Sequence, residues 1–382
     1  FNYKPYSERA HMFDHVWRQI KDKFYVDNLH NVDWDAYRKT YERFLPYINN
    51  NFDFQEMLSE MLGELNASHT GARYSGTWAS LQTANLGLFY DESYEGDGLR
   101  VKEVVKNGPC AIKNTDIKPG CIIQQIDGET VKAGMDYFPL LDGKIGKPIR
   151  LTVSKSKGGK TFDVTVKGIS KGELTNLLYK RWVERNRQMV DSLSGGRLAY
   201  VHVRAMNAES FHDVYADLLG EKNRKCEAAI VDERHNGGGW LHDDLCTLLN
   251  GKNYQKFVPR GKFIGNDPFN KWIKPSCVLI CEDDYSNGQG FPLVYKTLGI
   301  GKLIGAPIAG TMTAVWWETL LDPSLVYGIP QVGCMSLDGV YSENTQLNPD
   351  ITVYNSPEDY LSGNDRQLKA AVEEMLKVID KK

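Results

Sequence analysis

Along the first seventy residues, apolar side chains recur at helical spacing. Phe13, Val16, Trp17, Ile20 and Phe24 fall on one face, with Ser7 and the acidic Glu8 at a plausible helix start. Trp34, Tyr37, Tyr41 and Phe44 repeat the pattern, as do Phe54, Met57, Leu58, Met61, Leu62 and Leu65. Three amphipathic helices predict a small bundle. The third runs into a polar exit, Asn66-Ala-Ser68-His69-Thr-Gly71.

From residue 86 to 169 the texture changes. Short β-branched runs at 99–105, 121–126, 149–153 and 162–166 are separated by Gly, Pro and Asp turns. Asp127-Gly128 is a strong turn signal, and Lys157-Gly-Gly-Lys160 reads as a hairpin tip. Beyond residue 171 a helical stretch at 177–193 precedes strands alternating with helices. The runs 198–203, 228–231 and 277–281 are apolar enough to be buried strands, which predicts βαβ units and a mainly parallel sheet. The expected fold class is α/β with α and β accessory domains. The expected domains are a helical cap at 1–75, a β-rich module at 84–170 and an α/β domain at 171–382.

Composition narrows the function classes. The 382 residues suit two or three domains, and 41% hydrophobic with 25% charged residues allows a sizeable core. A net charge of -3 gives no broad pull toward nucleic acid or an anionic membrane. No apolar run approaches the length needed to span a bilayer. Opening on Phe1 without a signal peptide reads as a processed product or an excised fragment, with a periplasmic or otherwise exported location favoured over the cytoplasm. The seven cysteines are scattered and form no CxxC pair, so free buried thiols are expected rather than disulfides or a zinc site.

Three loops carry groups that a packed core would not select. Val231-Asp-Glu-Arg-His-Asn236-Gly237-Gly238-Gly239-Trp240 places three glycines between a strand and a helix, where peptide N–H groups can approach a ligand closely. That suits an oxyanion hole; neither GxxxxGK[ST] nor GxGxxG is present to support a phosphate loop. Glu282-Asp-Asp-Tyr-Ser286-Asn287-Gly again joins a strand to a helix. Ser286 is there either a helix cap or a nucleophile with the Asn287 N–H beside it. Among eight histidines, only His69 combines a loop, a neighbouring hydroxyl (Ser68) and a domain junction.

Taken together, these segments resemble the tricorn-like, tail-specific (C-terminal processing) serine peptidase family over nearly the whole chain, in the same order. The resemblance implies a helical cap, a PDZ domain and a crotonase-like (ClpP/crotonase) catalytic domain. It implies His69 as general base with Ser68 before it, Ser286 as nucleophile, and an oxyanion hole of Gly238 (Gly237 the near alternative) and Asn287. The stretch Ser342-Glu343-Asn-Thr-Gln-Leu-Asn-Pro-Asp350 resembles a further motif, by which Glu343 completes a Ser68–His69–Ser286–Glu343 tetrad. Two departures stand out: the family usually has Asp where this chain has Asn287, and Thr345-Gln-Leu replaces a glycine-containing stretch. Relatives with a Ser/Lys dyad carry a lysine downstream of the serine; Thr311 stands close to its expected place here, which favours the histidine branch.

The implied activity is endopeptidase or carboxy-terminal processing of unfolded or partly degraded polypeptides, through an acyl-enzyme. No metal or organic cofactor is implied. The implied partners are peptide or unfolded protein, with no nucleic acid and no membrane insertion, and a homo-oligomer is allowed. Leu86-Gly87-Leu88-Phe89 resembles the carboxylate-binding loop of a PDZ domain, which adds a peptide to a sheet edge. The rival readings are a catalytically silent peptide or ligand binder and a crotonase-like acyl-CoA enzyme. Trp240 and Trp316-Trp317-Glu318 are either cleft-lining or core residues.

Overall fold

The structure, a computed structural model, describes residues 5–76, 82–112 and 115–381. The chain separates into two compact units, Phe1–Gly76 with Arg187–Lys382, and Thr77–Asn186.

The first unit begins with α1 (Pro5–Lys23), α2 (Trp34–Glu42) and α3 (Asn51–Gly63). Asp33 and Asn50 cap the second and third by accepting the N–H groups of Ala36 and Asp53. The faces legible in the sequence converge: Phe13, Val16, Ile20, Phe54, Leu58, Met61 and Leu62 are fully buried. Trp17 and Trp34 lock the first two helices, each indole N–H donating to the other's backbone carbonyl at 3.0 Å. The core does not close on helices alone, for Leu325, Tyr327 and Ile329 belong to it. After α3 the chain turns through residues 66–71 into β1 (Ala72–Tyr74).

The second unit is β-rich. It holds β2 (Leu88–Tyr90), β3 (Leu99–Val104), β4 (Ile122–Ile126), β5 (Glu129–Thr130), β6 (Pro148–Ser154) and β7 (Thr161–Lys167). The sheet order is β2-β3-β4-β6-β7, with β5 on β4. The four expected strands match β3, β4, β6 and β7 to within two residues at each end. Asp127 and Gly128 turn β4 into β5 with φ of 51° and 91°, as a two-residue hairpin loop requires.

Then follow α4 (Lys171–Ser194), β8 (Leu198–His202), α5 (Ala208–Leu219), α6 (Glu221–Lys225), β9 (Ala228–Asp232) and α7 (His242–Leu249). A hairpin of β10 (Gln255–Phe257) and β11 (Gly265–Asp267) leads to β12 (Ser276–Ile280), α8 (Asn287–Thr297) and β13 (Lys302–Gly305). Next come β14 (Thr313–Thr319), β15 (Leu325–Gly333), β16 (Ile351–Thr352), α9 (Pro357–Ser362) and α10 (Arg366–Asp380). The sheet β16-β13-β12-β9-β8 is parallel throughout, and β9 and β12 are buried at every residue. A second, antiparallel sheet has the order β1-β15-β14. Parallel neighbours end on the same side, so the loops after β9 and β12 meet, and these are the glycine and Ser286 loops.

All seven cysteines are free, six of them buried. Among the described residues no helix is long and apolar enough to cross a membrane.

Directly after β9 sits a costly group. Glu233 is fully buried, and neither carboxyl oxygen has a hydrogen-bond partner among the described residues. Burial, with Asp284 and Asp232 nearby, pushes its pKa well above the usual carboxylate range. The folded state therefore keeps a proton that the unfolded chain releases above about pH 4.3, so stability declines as pH rises past that value. Glu233→Leu should raise stability at pH 7 by about 1–3 kcal/mol and flatten this slope. Urea unfolding at pH 5 and pH 7 checks both expectations.

Candidate active site

The arms carrying His69, Ser286 and the glycines leave a strand end or a helix end, while Glu343 sits in the loop between β15 and β16. Residues 66–71 leave α3 and enter β1, which pairs with β15. The loop has little freedom: His69 has φ of 62°, its N–H donates to the Tyr285 hydroxyl at 2.7 Å, and Asn66 O accepts from Asn344 Nδ2 at 2.8 Å. The last contact ties it to the loop that carries Glu343, whose Asn344 N–H in turn donates to Gly310 O at 2.8 Å.

Four side chains form a continuous relay. His69 Nδ1 lies 2.9 Å from Ser68 Oγ, and Ser68 Oγ–H donates to Glu343 Oε2 at 2.8 Å. The Ser68 backbone N–H donates to the other oxygen, Oε1, at 2.5 Å, so the carboxylate is held at both ends. With the Ser68 proton directed to Glu343, Ser68 Oγ accepts from Nδ1–H. That leaves the lone pair on His69 Nε2. Thr313 closes the set: its Oγ1 lies 3.1 Å from both His69 Nδ1 and Ser68 Oγ. Burial and the nearby Arg73 cation lower the His69 pKa to about 4. Burial raises that of Glu343, against the bonds it accepts from Ser68.

Ser286 occupies the N-cap position of α8, yet its side chain makes no capping bond. Its backbone is strained, with φ of 57° and ψ of -122°, a conformation that costs a non-glycine residue about 1–3 kcal/mol. The strain is held from both sides. Ser286 N–H donates to Thr311 Oγ1 at 3.2 Å, and Tyr285 N–H donates to Asn236 O at 2.9 Å. The Tyr285 ring lies 4.8 Å from the His69 ring, centroid to centroid, which brings the Ser286 and His69 loops together. Ser286 Oγ and His69 Nε2 have no protein hydrogen bond among the described residues, to each other or to another group.

The glycine loop is set against Ser286 with no room to spare. A Cβ at Gly238, where φ is 94°, would stand 2.7 Å from Ser286 Cβ and 2.8 Å from Tyr285 O. Gly238 N–H donates to Asn236 Oδ1 at 2.9 Å and its carbonyl accepts from Met206 N–H at 3.0 Å. The Gly237 N–H makes no such bond among the described residues. Below the loop, the buried Arg234 guanidinium bridges Asp232, Asp365 and Gln367 at 2.7–3.1 Å, anchoring the strand end to the start of α10. The Asn287 side chain is buried: its Oδ1 accepts the N–H groups of Leu241 and His242 at 2.8 and 3.1 Å. It therefore caps α7 and joins the exit of the glycine loop to α8.

Ser68 thus joins His69 to Glu343, Gly238 packs against Ser286 and Asn287, and Tyr285 links the His69 loop to the Ser286 loop. Thr313 and the Tyr285 hydroxyl contact His69 but were not singled out from the sequence; a threonine opening a strand and a tyrosine before a serine carry no signal by themselves. Trp240 and Trp316 are exposed, and Trp317 lies under the Arg73 guanidinium, 3.9 Å from the ring centroid. None of the three is a core residue.

In the second unit, Leu86, Leu88 and Phe89 line a groove of about 440 Å³ with Tyr137, Phe138 and Leu141. Gly87 does not line it. With φ of 65°, it packs on Pro109, where a Cβ would stand 2.9 Å from the ring.

Comparison with known proteins places these features in a lineage. Residues 5–63 match the Tricorn protease C1 domain, 94–171 the Tricorn protease PDZ domain and 197–353 Peptidase family S41. The chain is tricorn-like, with segments that match a PDZ domain and a peptidase of family S41. Tricorn protease homolog 1 of Streptomyces coelicolor is 29% identical over 97% of this chain and 35% of its own length. Tricorn protease of Thermoplasma acidophilum is 27% identical over the same shares. The crystal structure of the tricorn protease superposes with a TM-score of 0.87 at 25% identity, covering 99% of this chain and 37% of that one. The chain thus spans about a third of the length of the relatives it matches.

Proposed function

We propose that this chain hydrolyses peptide bonds through an acyl-enzyme formed on Ser286. The observation that carries the reading is the relay Glu343–Ser68–His69, tied through Tyr285 to the loop of a strained serine whose hydroxyl makes no cap. His69 Nε2 takes the Ser286 proton as Oγ attacks the scissile carbonyl; the imidazolium then returns it to the departing amine, and water repeats the cycle on the ester. Glu343, acting through Ser68, orients the ring and stabilises its cation. The oxyanion falls to Asn287 N–H and to the glycine loop, where the Gly237 N–H is unpaired among the described residues while the Gly238 N–H is given to Asn236 Oδ1 and would have to leave it to serve. The three domains are read as 1–75, 84–170 and 171–382, with a helical bundle as cap and a crotonase-like catalytic fold.

The substrate class is unfolded or partly degraded polypeptide, delivered as an extended chain. The Leu86–Phe89 segment and its groove suit a peptide terminus laid along β2. Incubating the protein with an unfolded polypeptide and with short fluorogenic peptides tests the activity. Hydrolysis is expected; peptide binding without cleavage would favour the silent-binder reading instead.

The pH dependence carries its own expectation. A base with a pKa of about 4 is already neutral at pH 5, so kcat/KM should hold down to there and fall only as His69 takes a proton below it. Arg73→Gln removes a cation that disfavours that protonation, so the acidic limb should move upward. The pH–rate profiles of the parent and this variant check both statements.

A further inference from the structure

Behind the two catalytic loops lies a cluster that the proposed chemistry leaves unused. His235 precedes Asn236 in the glycine loop, while Cys281 and Asp283 lie on the approach to Ser286. Because β9 and β12 are parallel neighbours, their exits bring the three side chains together. His235 Nδ1 stands 3.0 Å from Asp283 Oδ2 and 3.9 Å from Cys281 Sγ, and Sγ stands 2.7 Å from Asp283 Oδ1. All three ligand atoms fall within 4.8 Å of one another.

We propose that His235 Nδ1, Cys281 Sγ and an Asp283 carboxylate oxygen form a binding site for a divalent transition-metal ion of the zinc class. Ligand distances of about 2.0–2.3 Å around tetrahedral zinc put neighbouring ligand atoms roughly 3.2–3.7 Å apart, so shifts of under about 1 Å convert the cluster into a coordination sphere. The donor set is apt: one soft thiolate, one imidazole and one carboxylate, with one position left for water. On binding, the Cys281 proton leaves to solvent, and the thiolate and carboxylate neutralise the ion's two charges. Asp284 adds to the attraction, its Oδ1 lying 3.4 Å from Sγ in a fully buried position. Burial and these two carboxylates hold the thiol firmly protonated, an environment that a cation relieves. His235 is itself half-exposed, with φ of 68°, and gives the ion a route from solvent.

Such an ion bridges the loop of Gly237 and Gly238 to the loop of Ser286 and is a brace for their spacing rather than a reactant. Titrating the metal-free protein with cobalt(II) tests this directly. One cobalt per chain is expected, with a thiolate-to-metal charge-transfer band, competed away by zinc. Cys281→Ser should abolish the band. His235→Ala should weaken binding at least tenfold, with its metal-free melting temperature reporting separately any cost to the fold at this positive-φ position. Zinc should raise the melting temperature of the parent and leave that of His235→Ala unmoved. No charge-transfer band in the parent, or a band that survives in Cys281→Ser, would overturn the proposal and leave the cluster a hydrogen-bonded strap.

Discussion

Ser286→Ala should lower kcat/KM by about 10³–10⁶-fold while the fold stays intact. The serine stands at the N-cap of α8, but its hydroxyl makes no capping bond there, so alanine removes no helix contact of that side chain. The loss should therefore be catalytic and not structural, with an unchanged melting temperature. His69→Ala is expected to cost nearly as much, because an unactivated serine is a weak nucleophile. Joining the two changes should add little, since each disables the same step. A double variant markedly slower than either single one would count against a shared step. Progress curves on a fluorogenic peptide, with thermal melts of each variant, separate the two kinds of loss.

Gly238→Ala is the second large effect. A methyl group there meets Ser286 Cβ at 2.7 Å, Tyr285 O at 2.8 Å and Asn287 N at 3.1 Å, on a backbone whose φ of 94° already disfavours any side chain. Two of those neighbours are backbone atoms, so relief requires the glycine loop or the Ser286 turn to move. Either movement carries a proposed oxyanion donor out of line. Losing one such donor costs about 3–4 kcal/mol, or about 10²–10³-fold in kcat. The expected signature is a fall in kcat with KM nearly preserved. A rise in KM alone would place the glycine loop in substrate binding instead.

Much of this site was legible because its parts lie where the chain breaks its own pattern. Three glycines after an apolar strand, a serine between a strand and a helix, and a histidine at a helix exit are local anomalies. Their assembly was not visible locally. It depends on β9 and β12 being adjacent and parallel, and on β1 pairing with β15 to bring residues 66–71 across. Only the family resemblance linked those segments in advance, and it also supplied Glu343, which sits in an irregular loop with no period to read. Thr313 and the Tyr285 hydroxyl were missed for the reverse reason: both belong to ordinary segments and become significant only through contact with His69. The helices were read correctly from spacing, yet their core includes Leu325, Tyr327 and Ile329, a partnership across more than 250 residues that periodicity does not encode.

The Asn287 departure has a structural account. Its Oδ1 is committed to two backbone N–H groups at the start of α7, and its Nδ2 lies 2.8 Å from His242 Nδ1. An amide can donate to an imidazole lone pair while capping the helix. An aspartate there would cap equally well but would accept from the Nδ1–H tautomer of His242 instead. The substitution thus selects the His242 tautomer that accepts at Nδ1, without touching the backbone N–H proposed for the oxyanion.

The central claim is that Ser286 is made nucleophilic by His69 and its relay. It is tested most directly by treating the protein with a fluorophosphonate, which loses fluoride to an activated serine, and mapping the adduct by peptide mass spectrometry. This readout needs no knowledge of the natural substrate. One phosphonyl group is expected, on Ser286, with labelling suppressed in His69→Ala and slowed in Glu343→Gln. An adduct on another residue, or equal labelling of Ser286 in the His69 variant, would contradict the account.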